Sequence, residues 1–375
     1  MRIGIDAREL CGHTTGVGRY LSGLLSHWSG PAGRDHQFVL YAPEPVPMSL
    51  DSRQFPIRML PGAGTWWEQV RLPRAAASDQ IDAWFSPAYT MPMRIAVPSV
   101  VAIHDLSFVA HPEWFRFKEG IRRRWLTRAS AARASAVLTI SQFSKHELID
   151  RLDVSASKIH VIPPGIDPGA SRPDGRSAGV DDARVPMTGA PRILYAGSIF
   201  NRRHVTDLIR AFAPIARTHR EARLDLVGDN RTYPFEDLAR TIRVETLDQQ
   251  VYWHRYVTDD QLGELYRSAR AFAFLSEYEG LGLTPLEALA AGVPPVLLDT
   301  AVARESCGDA ALYVEAGDLK ATTAALNAAL FDQAVRARVL AAAPRELAKY
   351  NWSDTARDTL SLLERVGAAS QGEPS

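Results

Sequence analysis

Along this chain, short runs of consecutive apolar residues alternate with longer stretches in which apolar positions recur every three or four residues. That rhythm predicts parallel strands wrapped by helices. In the first half the predicted strands are Arg2–Ile5, Phe38–Tyr41, Ala83–Phe85, Ser99–His104, Ala136–Ile140 and Ile159–Ile162. In the second they are Arg192–Ala196, Arg223–Val227, Val251–His254, Ala271–Leu275, Pro295–Leu298 and Ala311–Val314. Helices fall between them. Ser141 is placed to N-cap a helix reaching Leu152, and Thr258 with Gln261 forms a capping-box pattern before a helix to about Ser268.

The pattern breaks over residues 163–191, PPGIDPGASRPDGRSAGVDDARVPMTGAP, where Pro, Gly, Ser and Asp crowd together without apolar periodicity. A second strand–helix series starts at once, at RILYAG. The expected organisation is α/β: a doubly wound domain over 1–165, a linker over 166–190, a second doubly wound domain over 191–350, and a helix over 351–370 packing back on the first domain. Two such domains are expected to face an interdomain cleft, where ligands bind at the carboxyl ends of the strands. The tail from Gln371 is expected to be disordered.

Composition narrows the class. With 46% hydrophobic and 23% charged residues in 375, the chain reads as an ordinary globular protein of two domains. Its two cysteines, Cys11 and Cys307, lie in opposite halves, which argues against a disulfide framework. The opening MRIGIDAREL lacks a signal peptide's apolar core, and no run approaches the ~20 residues that span a bilayer. The expected location is cytoplasmic. The zero net charge divides unevenly: residues 1–165 hold 19 basic against 14 acidic residues, or +5, and the remainder holds 24 against 29, or −5. The basic residues are too local for a nucleic-acid surface.

The most informative stretch is Leu275–Gly292, LSEYEGLGLTPLEALAAG. It leaves an apolar strand, passes through Gly280, Leu281, Gly282 and Leu283, and enters a helix. Thr284 is placed as N-cap, Pro285 as first helical residue and Glu287 as third-position partner. A glycine loop opening on a helix N-terminus suits a diphosphate. Glu279 and Glu287 flank it, as hydroxyl acceptors for a ribose and a sugar. Read alone, Glu287 is better explained as a helix cap, and the glycines as permitting a tight turn. Gly16 and Gly18, in TGVGRY, lie between the first strand and an amphipathic helix to about Trp28, where a backbone loop can approach a phosphate or an acceptor. The absence of a third glycine counts against a nicotinamide or flavin site.

Glu-x7-Glu within EGLGLTPLEALAAG resembles the signature of the large retaining GT-B glycosyltransferase family, which includes bacterial mannosyl-, glucosyl- and rhamnosyltransferases and sucrose synthase. The likeness extends over IDAREL, TGVGRYLSGLL, WWEQVRLP, WFSPAYTMP, VVAIHDLSF, LTISQFSKHELI, HVIPPGID, LYAGS and GDAALYVEAGD. It is strongest toward transferases of cell-surface polysaccharides. The resemblance implies that Glu287 binds the nucleotide ribose and Glu279 the donor sugar, with Ser198 of LYAGS also on the donor side. It places Arg202 and Arg203 against the leaving diphosphate. Relatives read Arg-Lys-Asn there, so Arg203 and His204 depart from the pattern; arginine keeps the charge and adds a fork suited to phosphate. Without the resemblance, an arginine pair at a helix start is a solvated surface feature.

His104 and Asp105 end the strand SVVAIHD. The resemblance places His104 near the donor sugar; a histidine satisfied by a neighbouring backbone group is the other reading. Residues 114–133, WFRFKEGIRRRWLTRASAAR, hold seven basic residues and one acidic, interleaved with aromatics. They suit either an interfacial helix on anionic lipid or a clamp on a polyprenyl-phosphate acceptor through Arg122, Arg123 and Arg124. A solvated helix burying its aromatics fits as well.

The expected chemistry is transfer of a hexose with retention, from a nucleotide-diphosphate sugar to a glycan or lipid-linked hydroxyl. The resemblance leans to GDP-mannose. No further cofactor is expected, and no metal: the chain has no Asp-x-Asp motif and no His/Cys ligand spacing. The alternatives are a sugar-nucleotide epimerase of the same fold and a catalytically silent nucleotide-sugar-binding subunit.

Overall fold

The computed structural model describes residues 1–12, 16–115, 117–166 and 189–369, with backbone alone for 117–119. Most of the linker expected over 166–190, the tail from Gln371, and Arg116 of the basic segment lie outside the described residues.

The chain divides into two units, Met1–Gly165 with Tyr350–Ser375, and Ile166–Lys349. In the first, strands β1 (Arg2–Asp6), β2 (Gln37–Ala42), β3 (Ile57–Met59), β4 (Ala83–Ser86), β5 (Ser99–Ala102), β6 (Ala136–Thr139) and β7 (Ile159–Val161) form one sheet ordered β3-β2-β1-β4-β5-β6-β7. Every pairing is parallel. Its helices include α1 (Gly16–Trp28), α2 (Gly64–Trp66) and α3 (Leu72–Ser78), joined by a π-helical turn at Trp67–Arg71, then α4 (Ser107–Ala110), α5 (Phe117–Arg133) and α6 (Gln142–Leu152). In the second unit, β8 (Arg192–Ala196), β9 (Arg223–Val227), β10 (Val251–His254), β11 (Ala271–Phe274), β12 (Pro295–Leu298) and β13 (Leu312–Val314) take the order β10-β9-β8-β11-β12-β13, again all parallel. They alternate with α7 (Val205–Thr218), α8 (Leu238–Val244), α9 (Asp259–Ser268), α10 (Leu283–Ala290) and α11 (Ala301–Cys307), followed by α12 (Leu319–Phe331) and α13 (Gln333–Leu347). The last helix, α14 (Trp352–Ala369), belongs to the first unit. Both units are doubly wound α/β folds.

The continuous apolar runs follow from burial on both sheet faces. In the first unit Ile3, Ile5, Phe38 and Leu40 point to one face, where Leu21, Leu24 and Trp28 of α1 and Leu360 and Leu363 of α14 cover them. Val39, Tyr41, Trp84 and Val101 point to the other, against Trp67, Leu72 and Leu148. Trp28 stacks on Phe38 at 4.9 Å and donates its indole N–H to Ala356 O at 2.9 Å, which ties α14 down. Burying one such ring contributes about 2–3 kcal/mol. The caps read from sequence are present: Ser141 Oγ accepts from Ser144 N at 3.0 Å, and Thr258 and Gln261 close a reciprocal box at 3.3 and 2.9 Å.

The predicted strand ends agree with the structure to within one residue except in one case, and one strand was not expected. β3 has no predicted counterpart, because Ile57, Arg58 and Met59 are all exposed at the sheet edge and carry no buried alternation. The strand expected to reach His104 ends at Ala102, and Ile103, His104 and Asp105 form the loop beyond it. Among the described residues, no helix is long and apolar enough to cross a membrane.

Candidate functional site

In the second unit the strand order reverses between β8 and β11, so the loops leaving these two strands part and expose the backbone between them. The loop after β8 carries Gly197, Ser198 and a single 3-10 turn, Asn201–Arg203. Gly197 has φ +141°, and a Cβ there would stand 2.8 Å from Arg203 Nη1, so this glycine admits the arginine. His204, in the left-handed region, then starts α7.

Arg203 and the loop after β11 are locked together. Its Nε donates to Glu279 Oε1 at 2.7 Å, Nη2 lies at the same distance from that oxygen, and Nη1 donates to Ser198 O at 2.8 Å. Ser276 Oγ adds a further bond to Glu279 Oε1 at 2.8 Å. The guanidinium lies over Phe274 at 4.8 Å. Burial works against its charge, but Glu279 and Tyr195 outweigh that and hold its pKa above the ordinary value. Arg203 Nε and Nη2 and Ser276 Oγ all meet on Oε1. Among the described residues Oε2 of Glu279 has no hydrogen-bond partner, and the side chain keeps 19% exposure. Arg202 donates through Nε to Tyr278 O at 3.2 Å and lies over Phe200 at 4.5 Å. His204 bridges Glu277 at 2.8 Å and Asp207 at 3.4 Å. Asp207 is the main cause of its raised pKa, ahead of Glu277 and against the opposing effect of burial.

The glycine loop differs in detail from the sequence reading. Helix α10 begins at Leu283, one residue before the expected cap, and Gly282 at φ +91° is its N-cap. Thr284 therefore lies inside the first turn, and no side chain caps the helix. Glu287 is correspondingly not the capping-box partner: its Oε2 accepts from Tyr266 OH of α9 at 3.1 Å. Gly282 takes up a left-handed conformation that a Thr would adopt only at a cost, and the adjoining Leu281 is buried. Uncapped N–H groups at such a start are the donors that suit an anion.

In the first unit the residues at the carboxyl edge of the sheet are bound to one another. His104, 8% exposed, contacts Pro87 O through Nε2 at 2.7 Å and packs edge-on against Tyr20 and Tyr89. Burial lowers its pKa, so the neutral ring donates from Nε2 and carries its lone pair on Nδ1. Asp105 accepts from Ser107 N, Ser107 Oγ and Tyr89 OH at 2.7–2.8 Å. Burial pushes its carboxyl up, but those bonds and the charge of Arg123 outweigh it and leave the pKa below the usual range. Gly16 and Gly18 are not in a loop before the helix; they open α1 itself, with Gly18 buried. The preceding residues 13–15 lie outside the described residues.

The basic segment is only partly a free cationic face. Arg123 lies over Tyr89 and Phe108 at 4.6 and 4.4 Å, and Arg124 donates to Phe108 O at 3.4 Å. Arg122 reaches Thr65 Oγ1 at 2.6 Å. Ile121 and Trp125 are exposed on the same helix, and so is Trp66 beside Thr65.

Sequence reasoning overlooked Arg8, Glu68 and Thr90. Arg8 grips Asp6 just beyond β1 and reaches Glu68 Oε1 at 2.8 Å, and Thr90 donates to that same oxygen at 2.5 Å. Asp6 and Glu68 are buried, and their charges outweigh the effect of burial and hold the Arg8 pKa up. Tyr266 and Ser276 were overlooked too, since neither residue type at its position signals a carboxylate partner. Among the described residues no three His, Cys, Asp or Glu side chains are grouped to hold a metal ion.

The "Glycosyltransferase Family 4" model matches residues 14–170, and the "Glycosyl transferases group 1" model matches residues 182–346. The chain is 25% identical over 297 residues to O-antigen chain mannosyltransferase B of Escherichia coli, covering 75% of this chain and 74% of that one. Its fold is similar to that of sucrose-phosphate synthase from Thermosynechococcus elongatus, with a TM-score of 0.75 at 18% identity over 98% of this chain and 99% of the other. It is also similar to Anabaena HepE in complex with UDP and glucose, with a TM-score of 0.72 at 16% identity over 97% and 99%. At such identities the two structures speak to the fold alone.

Proposed function

This chain belongs to the GT-B glycosyltransferases, and we propose that it transfers a hexose from a nucleotide-diphosphate sugar to a hydroxyl of a glycan or polyprenyl-linked acceptor, with retention, in cell-surface polysaccharide synthesis. The observation that carries this reading is the state of Glu279. Arg203 and Ser276 hold one carboxylate oxygen, and the other has no protein partner among the described residues, at the mouth of a glycine loop entering a helix. A carboxylate so held is oriented to accept from sugar hydroxyls without having to reorganise.

In the proposed reaction the diphosphate lies against the N-terminus of α10 and the cations of Arg202 and Arg203, and Glu287 takes the ribose hydroxyls. The bond from the anomeric carbon to the diphosphate oxygen breaks as the acceptor oxygen adds from the same face. The departing phosphate oxygen takes the acceptor's proton. Arg203 both positions Glu279 and contributes field to the leaving group. His104, neutral and fixed by Pro87, offers Nδ1 to a sugar hydroxyl. With arginines and backbone amides supplying the positive charge, activity is expected to persist in EDTA. GDP-mannose is the favoured donor, supported by the Escherichia coli mannosyltransferase relative. Exposed Trp125 and Ile121, beside Arg122, support peripheral contact with anionic lipid.

The test is thermal stabilisation across a panel of nucleotide sugars followed by product analysis. GDP-mannose at about 100 times its Kd should add about 2.7 kcal/mol of stability. Stronger stabilisation by a UDP-sugar would replace the donor assignment, and sugar turnover without any acceptor would favour an epimerase.

A further inference from the structure

The first unit contains a cavity of about 450 Å³ far along its sheet from the loops described above, at the outer edge strand β7. Three elements wall it: the first turn of α6 with Gln142 and Lys145, the strand with His160, and α14 with Asp358, Ser361 and Arg365. Three nitrogen bases thus converge on one hollow. Among the described residues neither Lys145 nor Arg365 makes an ion pair. The single carboxylate on the wall, Asp358, already accepts from Arg357 Nε at 3.0 Å. The lining is therefore net positive, and the α6 dipole adds in the same sense.

We propose that this cavity binds a phosphate ester of small-molecule size, through Lys145, Arg365 and His160, with Gln142 and Ser361 as neutral hydrogen-bonding partners. Two cations lining one hollow repel one another, and an anion bound between them removes that cost. The volume favours an ester over bare phosphate. It falls within the range of small-molecule sites, about 300–1,000 Å³, whereas a bare phosphate fills only the space of a few waters at about 30 Å³ each. None of these residues belongs to the sugar-transfer reading, so the two proposals stand or fall separately.

The histidine supplies a direct readout. Burial lowers the His160 pKa, and the charges of Arg365 and Lys145 lower it further, with Asp358 the acidic group on the facing helix. An anion that neutralises those cations must raise the His160 pKa, and by linkage it must bind more tightly as pH falls through that pKa.

Proton NMR titration of the His160 ring in the full chain tests this, with His160→Gln identifying its resonance. Inorganic phosphate and a hexose 6-phosphate are added separately against chloride at equal ionic strength. Both phosphates should raise the His160 pKa saturably, the ester at lower concentration. Lys145→Gln and Arg365→Gln should each weaken binding about tenfold, the loss of one charge-assisted contact. Both are surface substitutions, and an unchanged melting temperature without phosphate shows that each variant folds. No shift of His160 beyond that in chloride would overturn the site, as would an undiminished response in both variants. Equal binding of the two phosphates would overturn the ester assignment.

Discussion

The carboxyl edges of the two sheets handle charge in opposite ways. At the edge of the first unit each carboxylate is used up internally: Asp6 and Glu68 by Arg8, Glu68 again by Thr90, Asp105 by Tyr89 and Ser107. At the edge of the second unit Arg203 and Ser276 hold only one oxygen of Glu279, and α10 starts with no side-chain cap. The first is a closed hydrogen-bonded platform; the second leaves one carboxylate oxygen of Glu279 without a hydrogen-bond partner among the described residues. A buried ion pair of the first kind shows its importance in stability, and one of the second kind in turnover.

Single substitutions should separate the two. The largest effect is expected from Arg8→Gln, which strands two buried carboxylates and should cost about 3–5 kcal/mol of folding stability, read as a lower melting temperature with turnover per folded molecule little changed. Arg203→Gln should cost about 2–4 kcal/mol in kcat/KM and less in stability, since Glu279 retains Ser276 and partial exposure. A larger loss of stability than of kcat/KM would erase the contrast between the edges.

Smaller changes sharpen it. Glu287→Ala removes the acceptor of Tyr266 OH and should cost about 1 kcal/mol of stability. It should also weaken nucleoside diphosphate binding, measurable by calorimetry; an unaltered Kd would return Glu287 to a purely structural role. The smallest effect concerns α5. Each cation near an anionic surface contributes about 1 kcal/mol, and Arg123 and Arg124 already serve Phe108 and Tyr89, so Arg122→Gln with Trp125→Ala should carry most of any liposome binding lost. Equal loss from Arg123→Gln and Arg124→Gln alone would contradict that division.

The same contrast explains what the sequence disclosed. Apolar runs such as RILYA and AVLT fold as buried parallel strands, and a run buried on both faces leaves its mark on every residue. Edge strand Ile57–Met59 buries nothing and left none. Glu279, Gly280, Gly282 and Glu287 sit within one strand–loop–helix segment, so spacing alone suggested their association. Arg8, Glu68 and Thr90 are drawn together from three distant segments, and no local pattern encodes that meeting. The start of α10 was misread by two residues because Thr-Pro-x-Glu fits a capping box so well; the left-handed turn at Gly282 decides the boundary instead. His104 was read as the end of its strand, but the strand stops at Ala102, and the bond of His104 to Pro87 depends on a loop that only the fold brings close.

The central claim is that Glu279 faces the donor sugar and not the nucleotide or the fold. Its most direct test is Glu279→Gln, assayed for both turnover with the preferred nucleotide sugar and Kd for the matching nucleoside diphosphate. The account predicts a fall in kcat of about a hundredfold or more, with the Kd close to that of the unmodified protein and a lowered melting temperature, because buried Arg203 loses its counter-charge. Normal turnover per folded molecule would contradict it.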